Sequence, residues 1–219
     1  GASDAYSGIA ANPLVGRAID THCASGGTAI LTEVPEMFGA EHLLMSRTQS
    51  EDTFNDFVHL INNFKDYFRK HEQPIYENPA PGNKAGGITT LEEKSLGCVQ
   101  KGGRAPVCEI RDYGIAVTPK QGGLSLVNAP GNDLVSSTAL AAAGAHMVMF
   151  TTGRGTPLGV PVPTMKISSN TALAERKKGW IDFDAGRLLS EGLSLDDLGA
   201  ELYDYILAVA SGTETQNER

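Results

Sequence analysis

Residues 12–36, NPLVGRAIDTHCASGGTAILTEVPE, carry a helix, a glycine turn and a strand in that order. Asn12 and Pro13 make an N-cap and first-turn pair, and Leu14, Val15, Ala18, Ile19 and His22 follow at helical spacing. Gly26 and Gly27 end that helix. Residues 28–31 are β-prone and lack polar alternation, the pattern of a strand buried on both faces. The strand runs into Thr32-Glu33-Val34-Pro35-Glu36, where a proline stiffens the turn between two acids.

The same alternation of short apolar runs with helices continues outward. A helix is expected over 49–71, with Thr48 and Glu51 as a capping box and Phe54, Phe57, Val58, Ile61, Phe64 and Phe68 as one core stripe. Further apolar runs lie at 105–110, 124–127, 146–150 and 162–167. An alanine-rich helix over 133–143 falls between the second and third of them. The last helix has Ser194 as N-cap, Leu195, Leu198, Leu202, Ile206 and Val209 as its face, and Gly212 at C′. Short strands separated by helices predict an α/β domain over 1–212 with a mostly parallel sheet, followed by a frayed polar tail at 213–219. No GxGxxG follows a strand, so a dinucleotide-binding site is not supported.

Composition narrows the function classes. The chain has 219 residues, 41% of them apolar, enough for a substantial core. A net charge of −8 disfavours nucleic-acid binding, so any anion site must be locally positive. The three cysteines are far apart and form no CxxC, which argues against a disulfide framework or structural zinc and suits a reducing, cytoplasmic setting. No apolar run is long enough to span a bilayer and no signal-peptide pattern occurs. The chain opens on Gly1-Ala2-Ser3-Asp4 without an initiator Met and is expected to be a fragment of a longer protein.

Ligands of open parallel sheets bind beyond the carboxyl ends of the strands. The segments that would meet there hold Glu33, Glu36 and His42 after 28–31, Asn128 to Asp133 after 124–127, TTGRGTP at 151–157, and Ser168-Ser169-Asn170 after 162–167. Ser3 and Asp4 would follow a strand outside the chain. Residues 78–87, NPAPGNKAGG, place glycines and Lys84 ahead of a helix, either as an anion cradle or as an ordinary turn-rich loop. Glu33 and Glu36 read equally well as solvated loop acids. Arg154, in a Gly-Arg-Gly turn, can grip a carboxylate through two parallel hydrogen bonds.

Taken together, GASDAYSGIAANP, LTEVPEMFGAEHLL, NPAPGNKAGG, LEEKSLG and FTTGRGTP resemble the C-terminal catalytic region of the altronate and galactarate dehydratase family, from Ser3 to about Gly212. The resemblance implies a Rossmann-like variant around a parallel sheet flanked by helices on both faces. It also implies a metal-dependent enzyme using Fe²⁺ or Mn²⁺, and a small N-terminal β-rich domain that this chain lacks. A homo-oligomer acting on a small sugar acid, without nucleic acid or membrane, is expected. The family often has Cys-Gly-Gly before Ser-Asp-Ala, whereas Gly1-Ala2 stands here.

The implied reaction is β-elimination of water from a 2,3-dihydroxy acid such as D-altronate, giving a 2-keto-3-deoxy acid. D-galactarate, a sulfolactate sulfo-lyase relative and a non-catalytic anion-binding module remain alternatives. Transferred by motif, the metal ligands would be Asp4, Glu33, Glu36 and His42, a hard oxygen set with one imidazole. Lys84 and His42 would be catalytic, Lys84 as base or enolate stabiliser. Ser3, Asn83, Thr152 and Arg154 would hold the substrate.

Overall fold

The computed structural model describes residues 2–118 and 122–219. A π-helical turn, Ser7–Ala11, runs into α1 (Asn12–Ala24), followed by β1 (Thr28–Leu31), a 3₁₀ turn at Val34–Met37, α2 (Glu41–Met45) and α3 (Glu51–Lys70). The short α4 (Pro81–Ala85) and α5 (Leu91–Val99) precede β2 (Val107–Arg111), β3 (Gly123–Val127) and α6 (Asp133–Ala142). Then come β4 (Val148–Thr152), β5 (Thr164–Ser168), α7 (Thr171–Arg176), β6 (Phe183–Asp184), α8 (Arg187–Ser190) and α9 (Leu195–Ala210).

These strands pair in parallel throughout, as the helix-separated runs predict. Instead of the single sheet expected, they form two three-stranded sheets, ordered β1-β3-β2 and β4-β5-β6. Both share one apolar core: Leu31, Leu124, Leu126, Met165 and Ile167 pack in a single cluster with Leu14, Phe57, Leu198 and Leu202 of the surrounding helices. The expected Rossmann-like α/β class holds. The central strands β3 and β5 are buried along their whole length. β1 is different. It sits at the edge of its sheet against β3, so Thr28 and Ile30 stay half-buried rather than enclosed on both faces. β6 has only two residues and left no periodic trace in the sequence.

Three local expectations change for physical reasons. Asn12 is not an N-cap, because the preceding turn is already helical and the Ser7 amide is capped by Asp4 Oδ1 at 2.8 Å. Asn12 is fully buried instead, donating to the Gly97 carbonyl at 3.0 Å and accepting from Thr151 Oγ1 at 2.8 Å. Ser50, not Thr48, caps α3 by accepting from the Thr53 amide. Leu60 joins Phe57 and Ile61 in the buried face of α3, while Phe54 lies at its outer edge, 40% exposed. α9 starts at Ser194, whose side chain accepts from the Asp197 amide, and Gly212 takes a left-handed φ of 106° just past its end, as expected.

The tail at 213–219 is held rather than frayed. Thr215 is fully buried, and the Gln216 amide donates to Asp182 Oδ1 at 2.8 Å. The Asn217 side chain donates to the Leu158 carbonyl at 2.8 Å and accepts from the ammonium of Lys166, a buried lysine on the central strand β5. A buried cation demands acceptors, and the polar tail supplies one. Among the described residues no helix is long and apolar enough to cross a membrane.

A candidate active-site cleft at the strand ends

A cleft of about 870 Å³ opens where the segments after β1, β3 and β4 meet residues 74–84 and the N-terminal Ala2 and Ser3. Its volume is in the range of small-molecule sites, roughly 300–1,000 Å³. Ser3, Glu36, Asn83, Lys84, Thr152 and Arg154 all line it. Six residues singled out from the sequence thus share one cavity. The segment after β5 supports the cleft from behind, since Ser169 Oγ donates to Asp4 Oδ2 at 3.0 Å and Asn170 Nδ2 to the Gly153 carbonyl at 3.3 Å.

Asp4 serves this scaffold. Its carboxylate accepts from the Ser7 amide and hydroxyl and from Ser169 Oγ, tying the first helical turn to the end of β5. The turn after β4 rests directly on it: a Cβ at Gly153 would fall inside the Asp4 carboxylate, which is why that position needs glycine. Thr152 Oγ1 accepts from the Gly155 amide at 2.9 Å and so shapes the same turn.

That turn presents Arg154 to solvent. Its guanidinium reaches across to the Gly82 carbonyl at 2.6 Å, bridging the end of β4 to α4. Lys84, on α4, is exposed at the cleft wall. Neither cation has a carboxylate partner among the described residues. Asn83 is used on every side, since its amide nitrogen donates to the Ala2 and Ser3 carbonyls and its oxygen accepts from the Ala80 amide and Lys94 Nζ.

The two glutamates after β1 are buried, not solvated. Glu33, 7% exposed, takes a left-handed backbone (φ 67°) and pairs with Lys101 Nζ at 2.7 Å. Glu36, 5% exposed, pairs with Lys94 Nζ at 2.9 Å, and Cys98 Sγ donates to its other oxygen at 3.1 Å. Lys94 and Cys98 thus engage both oxygens of the buried Glu36 carboxylate. Burial, then Glu36, pushes the Cys98 thiol far up. For Lys101, burial pulls the pKa down, yet Glu33 outweighs that and holds it above the ordinary lysine value. Asp133 stands exposed at the start of α6 on the cleft wall.

His42 does not join these acids. It lies exposed on α2, away from the cleft lining. Among the described residues no three His, Cys, Asp or Glu side chains are grouped to hold a metal ion. Asp4 is engaged by hydroxyls, Glu33 and Glu36 by lysines, and His42 stands apart, so the four expected ligands do not form a donor set that fits Fe²⁺ or Mn²⁺.

Lys94 and Lys101 are not among the residues the sequence singles out, and Asp133 enters only as the end of the segment after 124–127. A signal existed for the lysines. Lys94, Cys98 and Lys101 recur at i, i+4 and i+7, and a cationic stripe that contains a buried cysteine requires acids opposite it.

The whole chain, residues 1–219, matches the family model described as D-galactarate/Altronate dehydratase, C-terminal. The chain belongs to this family. Among relatives of the D-galactarate/altronate dehydratase C-terminal family, altronate dehydratase of Escherichia coli (strain K12) is 57% identical over 219 residues, all of this chain and 44% of the relative. Altronate dehydratase of Bacillus subtilis (strain 168) is 55% identical over the same length, again 44% of the relative. Galactarate dehydratase (L-threo-forming) of E. coli (strain K12) is 36% identical over 213 residues, 97% of this chain and 40% of the relative. The chain therefore spans less than half the length of these curated relatives.

Proposed function

We propose that this chain forms the substrate cleft of a sugar-acid dehydratase that eliminates water from an aldonate, D-altronate first, to give a 2-keto-3-deoxy acid. One observation carries the reading: Lys84 and Arg154 flank a single cleft in an acidic protein, and neither has a carboxylate partner among the described residues. Two such cations await an anion. Identities of 57 and 55% to altronate dehydratases, against 36% to a galactarate dehydratase, favour an aldonate over an aldarate.

In this reading Arg154 meets the substrate carboxylate with its two-pronged fork, exchanging its bond to the Gly82 carbonyl for the ligand. Removal of the C2 proton builds negative charge on that carboxylate as an enediolate. Lys84, as the free amine, takes that proton and, once an ammonium, stabilises the charge. The C3 hydroxyl then leaves as water with a proton from an acid, and the resulting enol tautomerises to the ketone. Asp133, exposed on the cleft wall at the start of α6, is our candidate for that acid. Glu36 is occupied by Lys94 and Cys98 and is left out of that role. No step is routed through a metal at Asp4, Glu33, Glu36 and His42. A centre built from three or more His, Cys, Asp or Glu side chains would need ligands beyond the described residues.

The test is turnover of D-altronate by the whole protein, with Arg154→Lys beside it. Lysine keeps the charge and loses the fork, so kcat/KM should fall by about 1.5–3 kcal/mol in transition-state stabilisation. The melting temperature should stay put, because Arg154 is exposed. No altronate turnover by the wild type, or equal kcat/KM in the two proteins, would refute the reading.

A further inference from the structure

The element that carries Lys84 has no apolar anchor and is held by polar bonds alone. α4 is five residues long and buries none of them. So short a helix is unstable alone, and its place must come from bonds to the rest of the molecule. Arg154 supplies one of these through Gly82, but Arg154 is itself exposed and, on the reading above, exchanges that bond for substrate. The firm attachment lies on the other side. Lys94, 6% exposed on α5, sends its three N–H groups to three separate segments: Glu36 Oε1 at 2.9 Å after β1, Asn78 Oδ1 at 3.1 Å, and Asn83 Oδ1 at 3.0 Å on α4.

We propose that Lys94 is the positioning residue of the cleft, clasping Glu36, Asn78 and Asn83 so that α4 holds Lys84 at a fixed point on the cleft wall. The proposal rests on the dehydratase reading for what Lys84 does, and on geometry alone for what Lys94 does. All three ammonium donors are committed, so Lys94 offers none to substrate and acts through its neighbours. Asn83 carries the hold onward to the Ala2 and Ser3 carbonyls, joining the N-terminal segment to the same point. One turn along α5, Cys98 fixes the second oxygen of Glu36, so the carboxylate that receives Lys94 cannot swing away. Only a compact ammonium reaches three acceptors spread around one atom; the planar fork of arginine does not.

The experiment compares Lys94→Met and Lys94→Arg with wild type in the whole protein, by steady-state kinetics with D-altronate and by hydrogen–deuterium exchange. Both variants should lose kcat by about 10²-fold, the scale of misplacing a reacting group, while KM changes much less. Amides of 82–87 should exchange faster in both, and those of β3 and α9 should not. If Lys94→Met does not fold, the paired Glu36→Gln/Lys94→Met change removes both buried charges together and is read the same way. Wild-type kcat in Lys94→Met or in the paired variant, full recovery by Lys94→Arg, or unchanged exchange at 82–87 would overturn the proposal. Absence of dehydratase activity in the wild type would defeat the dehydratase reading instead, and exchange at 82–87 would still decide the role of Lys94.

Discussion

Replacing Asn12 with alanine separates two accounts of the same residue. As an exposed N-cap it would be worth about 1 kcal/mol. As found, its side chain is fully buried and joins α5 to β4, donating to Gly97 O and accepting from Thr151 Oγ1. Alanine withdraws both partners at once. Taking a buried polar partner from a carbonyl costs about 1–3 kcal/mol. Thr151 can turn its hydroxyl elsewhere, so its share is set at about 1 kcal/mol, the low end of the same range. The sum is about 2–4 kcal/mol. Urea unfolding of the 219-residue chain measures it as a shift in midpoint at constant slope. A double-mutant cycle with Thr151→Val isolates the Thr151 share, and an interaction energy above about 0.5 kcal/mol is expected for groups in direct contact. A loss near 1 kcal/mol with no coupling would mean that the buried bridge carries little and that the reasoning is wrong.

Lys84→Met in the whole protein should lower kcat by roughly 10²–10⁴-fold with an unchanged melting curve, the scale of losing a positioned proton-transfer group; a normal kcat would reduce Lys84 to a loop charge. His42→Ala should leave both the metal content and the turnover of the whole protein unchanged, because His42 is exposed on α2 and stands apart from the cleft lining; loss of bound metal in that variant would return His42 to the ligand set.

Why the sequence disclosed some of this and not the rest follows from periodicity. Strands such as 124–127 and the helix from Ser194 declare themselves through unbroken apolar runs and cap residues, and they stand close to where they were expected. The rule that ligands sit beyond parallel strand ends grouped Ser3, Glu36 and Arg154, and the glycine-rich stretch 78–87 pointed to Lys84; these four line one cleft. Pairing was not legible. Glu33 and Glu36 meet Lys101 and Lys94 across some sixty residues of chain, and nothing local to either acid announces its partner. Nor does local pattern tell Asn12 the cap from Asn12 the bridge, since that depends on whether the preceding turn is already helical. His42 was attached to the acids by proximity in sequence, but α2 turns it outward.

The seven residues after Gly212 bear on where this unit stops. Regular structure finishes with α9, and a boundary drawn there looks natural from the helix alone. Yet Asn217 meets the Lys166 ammonium and Gln216 meets Asp182, one residue on a central strand and the other just ahead of β6. Cutting at Gly212 would leave Lys166 with the Leu158 carbonyl as its remaining acceptor among the described residues, inside a closed interior. Residues 213–217 therefore belong with the fold on grounds of solvation: they satisfy an enclosed charge that the last helix leaves short of an acceptor.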